Sequence, residues 1–67
     1  MESADDQAIL AFLRERRAAL LDGQIAAGTG LGRIRVKTAL QRLRQAGSVV
    51  VEPVVIIKAR LEGFRAS

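Results

Sequence analysis

Ile25-Ala26-Ala27-Gly28-Thr29-Gly30-Leu31-Gly32-Arg33-Ile34-Arg35-Val36 is the stretch whose spacing decides the fold. A small residue, Ala26, is followed four positions later by Gly30, then by Leu31, and Val36 lies ten after Ala26. Two helices that cross steeply need a small side chain at the contact and a glycine in the tight turn. They also need apolar plugs from the turn and from the second helix, here Leu31, Val36 and Leu40. Working outward, Val36, Ala39, Leu40, Leu43 and Ala46 recur at helical spacing and predict a helix over 33–46. Gly32 suits its start and Gly47 its left-handed end. Upstream, Asp22 reads as the N-cap of a short helix over about 23–28, with Ile25 and Ala26 turned inward.

The N-terminal segment predicts a further helix over about 4–17. Ser3 with Asp6 forms a loose capping box, and Asp5 and Asp6 suit the positive end of a helix dipole. Ile9, Phe12 and Leu13 form its apolar stripe. Ala18 to Leu21 is an apolar connector able to pair as a short strand. After Gly47 the pattern changes. Val49-Val50-Val51 and Val54-Val55-Ile56-Ile57 are β-branched runs that favour strands, and Glu52-Pro53 between them reads as the turn. That turn would set Val51 across from Val54, Val50 from Val55 and Val49 from Ile56, in a hairpin over about 48–60. Val50, Val55, Ile57 and Ala59 would then face the helices, leaving Val49, Val51, Val54 and Ile56 on the other face. Leu61 to Ser67 reads as a tail, broken at Gly63 and anchored by Phe64. The expected class is α+β, three helices followed by a small hairpin, in one domain spanning 1–67.

Composition narrows the function. The chain has 67 residues, so it buries only about 60% of its unfolded surface and each large apolar side chain matters. It contains no cysteine and no histidine, which removes disulfides, thiolate or imidazole metal sites and histidine-based catalysis. No catalytic residue, cofactor or metal is expected, and the chain does not read as an enzyme. Gly28 to Gly32 lacks the Gly-Lys-Ser/Thr ending of a phosphate loop. With Phe12 and Phe64 the only aromatics, no base-stacking platform for single strands can form. No apolar run approaches the ~20 residues of a membrane span. The acidic start, Met1-Glu2-Ser3-Ala4-Asp5-Asp6, lacks a signal-peptide pattern, so a small natural protein in the cytoplasm is expected.

The net charge is +4, with Arg supplying all but Lys37 and Lys58 of the positive groups. Between residues 23 and 51 lie Arg33, Arg35, Lys37, Arg42 and Arg44 and no carboxylate. A small basic domain with its cations gathered in one segment favours a phosphate-bearing partner. The bland alternative for Arg42 and Arg44 is solvated helix charge, favourably placed near a helix C-terminus.

The segment quoted above, continued through Ala39-Leu40-Gln41-Arg42-Leu43-Arg44-Gln45-Ala46-Gly47-Ser48-Val49, resembles the winged helix–turn–helix family of small transcriptional regulators. The likeness covers roughly residues 5–57. It implies a double-stranded DNA-binding protein whose helix 33–46 enters the major groove, with its N-terminal residues at base edges. The side chains off the core stripe would then be the DNA-binding set: Arg33, Ile34, Arg35, Lys37, Thr38, Gln41 and Arg44, with Gln24 at the start of the preceding helix. Arg suits guanine, Gln suits adenine, and Thr or Ile meets a thymine methyl. Gly23 and Gln24 would offer free amides to a phosphate. Arg35 and Lys37 would dominate affinity. The apolar outer hairpin face implies a homodimer through the hairpin or the tail, reading half-sites about 34 Å apart. In the alternative reading the tail folds back over that face. A second function class is a winged-helix protein–protein interaction module, like the small FeoC-type accessory proteins of ferrous-iron transport. An outward Ile34 and a charge-poor tip at Glu52-Pro53 suit it. No small-molecule ligand is indicated.

Overall fold

A computed structural model describes residues 3–67; Met1 and Glu2, the first part of the acidic start, lie outside the described residues. The chain folds as α1 (Ala4–Arg16), α2 (Asp22–Thr29), α3 (Arg33–Gln45), β1 (Val49–Ile56) and β2 (Ala59–Ala66). This is the α+β order expected, three helices and then an antiparallel hairpin. Among the described residues, no helix is long and apolar enough to cross a membrane.

The helices form where their stripes and caps demand. Ile9, Leu10 and Leu13 of α1, Ile25 and Ala26 of α2, and Val36, Ala39, Leu40 and Leu43 of α3 are buried together with Val49. Ala46, expected at the end of the α3 stripe, is exposed, because the helix has already ended at Gln45. Ser3 Oγ accepts from the Asp6 amide at 3.2 Å, as its capping role requires. Gly30 and Gly47 hold the left-handed geometry that ends α2 and α3, at φ 76° and 80°. The cap of α2 departs from expectation. Leu21 is the N-cap, and Asp22 is already helical. Gln24 reaches back so that its Oε1 accepts from the Leu21 amide at 2.9 Å. A glutamine at this position supplies the return half of a capping box, satisfying the Leu21 amide, while leucine offers no side-chain acceptor to the amides of the first turn. Gly28 is needed for close approach rather than for its backbone freedom. The Phe12 ring of α1 lies so near that a Cβ there would sit 2.2 Å from the ring tip.

The hairpin corrects the sequence reading. The turn is at Ile57-Lys58, not at Glu52-Pro53, and β1 runs straight through the proline. Val49 pairs with Ala66, Val51 with Phe64, Pro53 with Glu62, Val54 with Leu61 and Ile56 with Ala59. None of the pairings Val51–Val54, Val50–Val55 or Val49–Ile56 is made. Residues 61–66, expected as a tail, are the second strand, and the hairpin spans 49–66 rather than 48–60.

Two facts explain how the proline fits. Phe64 exchanges both backbone hydrogen bonds with Leu20, at 2.8 and 3.0 Å, so its polar groups point away from β1. The paired Val51, and Pro53 two residues further, therefore turn their amide positions toward the open edge, where a missing N–H costs nothing to the ladder. The connector before α2 thus does pair as a strand residue, at Leu20.

The faces change with the register. Val49, Val51, Phe64 and Ala66 turn toward the helices, buried or half-buried, whereas Val55 and Ile57, expected against the helices, are 68% and 90% exposed. Only the base of the hairpin is anchored. Eight-residue strands span roughly 27 Å, so the tip stands off the body, in keeping with a long axis of 38 Å against 23 and 20 Å across.

Candidate nucleic-acid interface

With Val36, Ala39, Leu40 and Leu43 inside, helical geometry divides the rest of α3 into three strips. Ile34, Thr38, Gln41 and Gln45 form an outward ridge with no charge, all exposed. Ile34 is 82% exposed. The Thr38 hydroxyl donates to the Ile34 carbonyl at 3.0 Å, which holds one rotamer of the ridge. One flank, toward α1, carries Arg35 and Arg42. The other, toward α2 and the hairpin, carries Arg33, Lys37 and Arg44.

The α1 flank is neutralised. Asp5 takes the Arg35 fork through both carboxylate oxygens, with Nε to Oδ2 at 3.0 Å. Arg42 Nη2 donates to Asp6 Oδ1 at 2.8 Å and leans on the Ser3 hydroxyl at 3.4 Å. Asp6 is 6% exposed and is the one buried charged side chain among the described residues. The Arg42 hydrogen bond holds its carboxyl below the usual aspartate range, against the opposing push of burial and with help from Ser3. Asp5 and Asp6 in turn raise Arg35 and Arg42, chiefly by the same hydrogen bonds. The segment that lacks carboxylates in sequence thus meets them in space. Arg35, expected as a principal DNA contact, has its bidentate face occupied.

The other flank is looser. Arg33 and Lys37 approach Asp22 at only 3.7 and 3.8 Å, without hydrogen bonds. Asp22 instead accepts from the Gly23 amide at 2.8 Å, so that amide is closed to a phosphate. Gln24 is likewise half-used, its oxygen capping Leu21. Arg33, Lys37 and Arg44 border an open groove of about 790 Å³ between α3, the start of α2 and the hairpin. Leu21, Leu40, Leu61 and Phe64 contribute the apolar part of its lining, and Glu62 stands on the hairpin side.

Among the described residues Arg44, Lys58 and Arg60 make no ion pair, whereas Arg65 is held by Glu52 across the strands at 2.6 Å. Lys58 and Arg60 sit at the exposed hairpin tip. Sequence reading missed both, because it placed the tip at Glu52-Pro53. A turn of the sequence Ile-Lys carries no glycine, asparagine or proline to mark it. No group of acidic, histidine or cysteine side chains among the described residues is gathered to hold a metal.

No protein-family model matches this chain, and no curated protein or solved structure matches it. The functional reading therefore stands on the geometry.

Proposed function

We propose that the protein binds double-stranded DNA, as a transcriptional regulator, with α3 along the major groove and the hairpin beside it. One observation carries the reading: an uncharged, hydrogen-bonding ridge on a helix whose inner stripe is wholly committed to the core, next to cations left free of tight pairing. Gln41 has the two-point donor–acceptor pattern that adenine matches, and Thr38 and Ile34 offer methyls to thymine. Lys37 and Arg44 on one side, with Arg33, lie where phosphates of one strand would pass, and such contacts position without specifying. Arg35 acts here as a tie between α3 and α1 rather than as a base reader.

Mobility shift on mixed duplex DNA at several salt concentrations tests this. About three phosphate contacts give a slope near −2.7 in log affinity against log salt. Lys37→Ala with Arg44→Ala should flatten that slope by about 2, and Arg35→Ala should leave it nearly unchanged. Gln41→Ala should lower sequence preference with the slope retained. No binding at low salt overturns the proposal.

A second reading, the interaction module without DNA, is favoured by two of the same facts: Asp5 and Asp6 cancel much of the basic character of α3, and Ile34 is left in water. Binding without salt dependence would support it. A homodimer through the hairpin would draw on Val55, Ile56, Ile57 and Leu61, all exposed. It would select paired half-sites about 34 Å apart, against a single site for a monomer.

A further inference from the structure

The end of the hairpin, residues 55–62, is exposed throughout. It gathers large apolar side chains that the fold leaves in water: Val55 at 68%, Ile56 at 44%, Ile57 at 90% and Leu61 at 43%. The register spreads them around the hairpin rather than along one face. Val55 shares one face with Arg60, Ile56 and Ala59 share the other with Leu61, and Ile57 stands at the end. The same segment is basic. No carboxylate occurs from Pro53 to Leu61, and Lys58 and Arg60 make no ion pair among the described residues. The turn beneath them is strained as well. Ile57 and Lys58 have φ 30° and 65°, the left-handed geometry ordinarily given to Asn-Gly or Asp-Gly. A residue branched at Cβ is poorly suited to it, and at its exposure Ile57 gains no packing in return. Strain held without a packing benefit marks a contact surface.

The distribution of these side chains selects the partner. A groove on a protein, or a second copy of this chain, meets one face of a hairpin and leaves the other in water. A lipid interface surrounds an inserted tip and covers both faces and the end together. The flanking charges fit such an insertion. Glu52 and Glu62 lie five and four residues back from the turn, roughly 13–17 Å at about 3.3 Å per residue, whereas an interfacial element enters by about 5–10 Å. The apolar end therefore reaches the boundary of headgroups and acyl chains with both carboxylates left outside. Lys58 and Arg60 can lay their stems along that apolar surface with their charged ends at the phosphates. Their charge, within a net +4 for the chain, complements an anionic leaflet. We propose that the hairpin end is a reversible docking point for an anionic bilayer surface. Ile57 enters with Val55, Ile56 and Leu61 around it, and Lys58 and Arg60 pair with the headgroups. A few apolar side chains and two cations give binding that is released readily, far short of a spanning anchor. The docking point shares no residue with the outward ridge of α3 and does not rest on the DNA reading.

The test is co-sedimentation of the chain with vesicles of equal parts phosphatidylcholine and phosphatidylglycerol, and with vesicles of phosphatidylcholine alone. Wild type should bind the anionic vesicles roughly 25-fold more tightly than the neutral ones, at about fivefold per tip cation. Lys58→Gln/Arg60→Gln should lose that advantage. Lys37→Gln/Arg44→Gln, the same charge change on α3, should lose only a small part of it. Ile57→Asn should weaken binding by roughly tenfold or more, yet melt at or above wild type, because asparagine suits the left-handed turn. The chain has no Trp or Tyr, so Ile57→Trp supplies a single reporter; its emission should shift to the blue on anionic vesicles and be quenched by brominated acyl chains. Wild type that binds neither vesicle, or binds both alike, overturns the proposal. Equal losses in the two double glutamine variants, an unshifted Trp emission, or Ile57→Asn that binds as wild type does so too. Ile57→Asn that melts lower gives Ile57 a packing role and overturns it as well. A wild-type dimer made monomeric by Ile57→Asn, with vesicle binding unchanged, reassigns the tip to a second copy. Mobility shift on duplex DNA with the same variants keeps the two readings apart: wild type that binds vesicles but no duplex overturns the DNA reading alone, and tip variants that lose the duplex but keep the vesicles overturn the docking point.

Discussion

Gly63→Ala should destabilise the protein although alanine is the better residue for a regular strand. Gly63 is buried in the middle of β2. A Cβ built there would sit 2.4 Å from Val54 Cγ2, 3.0 Å from Ala19 Cβ and 3.2 Å from the Glu52 carbonyl oxygen. Carbon atoms rest at about 3.5–4.0 Å, so the shortfall at Val54 alone is about 1 Å. None of the three neighbours can step aside cheaply. Val54 is stiff about χ1, Ala19 has no rotamer to change, and the Glu52 oxygen belongs to the paired strand. Relief must come from spreading β1 from β2 at Val54 and moving the connector at Ala19, which strains the strand pairing and the Leu20–Phe64 bridge one residue along. Replacing a strand glycine gains roughly 0.5–1 kcal/mol, whereas overpacking costs typically 1–3 kcal/mol. The net loss of about 1–2 kcal/mol should lower the melting temperature by roughly 4–15 °C in a domain of this size. Gly23→Ala is the control. Gly23 lies in α2, where alanine likewise stiffens the backbone, but its nearest neighbour is the flexible end of Arg33 at 4.0 Å, and the variant should melt slightly higher. Thermal melts followed by circular dichroism, with hydrogen exchange at the Leu20 and Phe64 amides, read both effects. Gly63→Ala melting at or above wild type would refute the close three-way packing of connector, β1 and β2.

Leu40→Ala empties a site that is 2% exposed between the helices and should cost ~2–5 kcal/mol, enough to leave the domain largely unfolded on heating to growth temperature; a melt near that of wild type would mean α3 is oriented differently. Asp6→Asn should change how stability depends on acidity. Because the folded Asp6 carboxyl titrates below its unfolded value of about 3.9, its contribution is complete above that value and is lost as pH falls through the lower folded one. Urea midpoints from pH 7 down to pH 2 should fall on the acid side for wild type and less steeply for the variant, and parallel curves would remove the Asp6–Arg42 pair as a source of acid sensitivity.

The helices were legible because their signals are local. Ser3 before Asp6, the stripe from Val36 to Leu43, Gly30 and Gly47 each act within a turn or two of chain, and each takes the role its spacing implies. The hairpin was not, because two local rules were overridden by partners elsewhere. Pro53 reads as a turn residue, yet it needs only a position whose amide faces no neighbour, and the Leu20–Phe64 exchange shows that β1 provides one. Gly63 reads as a breaker, yet its missing side chain is what lets Ala19 and Val54 close over β2. The real turn, Ile57-Lys58, carries none of the usual residues. The nearest usable hint was the length match of the segments 49–56 and 59–66, which alone allows the strand to continue past the proline.

Charge misled for a different reason. The run from 23 to 51 without a carboxylate suggested an undivided positive surface on α3. Coulomb interactions follow distance in space, and Asp5, Asp6 and Asp22 come from outside that run to four of its cations, Arg33, Arg35, Lys37 and Arg42, at 4 Å or less on the α1 side and near α2. The consequence is a helix with two unlike flanks. Arg35 and Arg42 are tied to the start of α1, while the buried stripe of Val36, Ala39, Leu40 and Leu43 fixes the roll of α3 about its own axis. That roll sets which residues form the outward ridge. Lys37 and Arg44 face the groove and the hairpin, with Asp22 too distant to hold Lys37 firmly. The buried stripe keeps Thr38 and Gln41 aimed outward, and beside them the pairing with Asp5 occupies the Arg35 fork. In the DNA-binding proposal, the acidic start of α1 thereby decides which cations of α3 remain free, Arg44 and the loosely held Lys37 rather than Arg35 and Arg42.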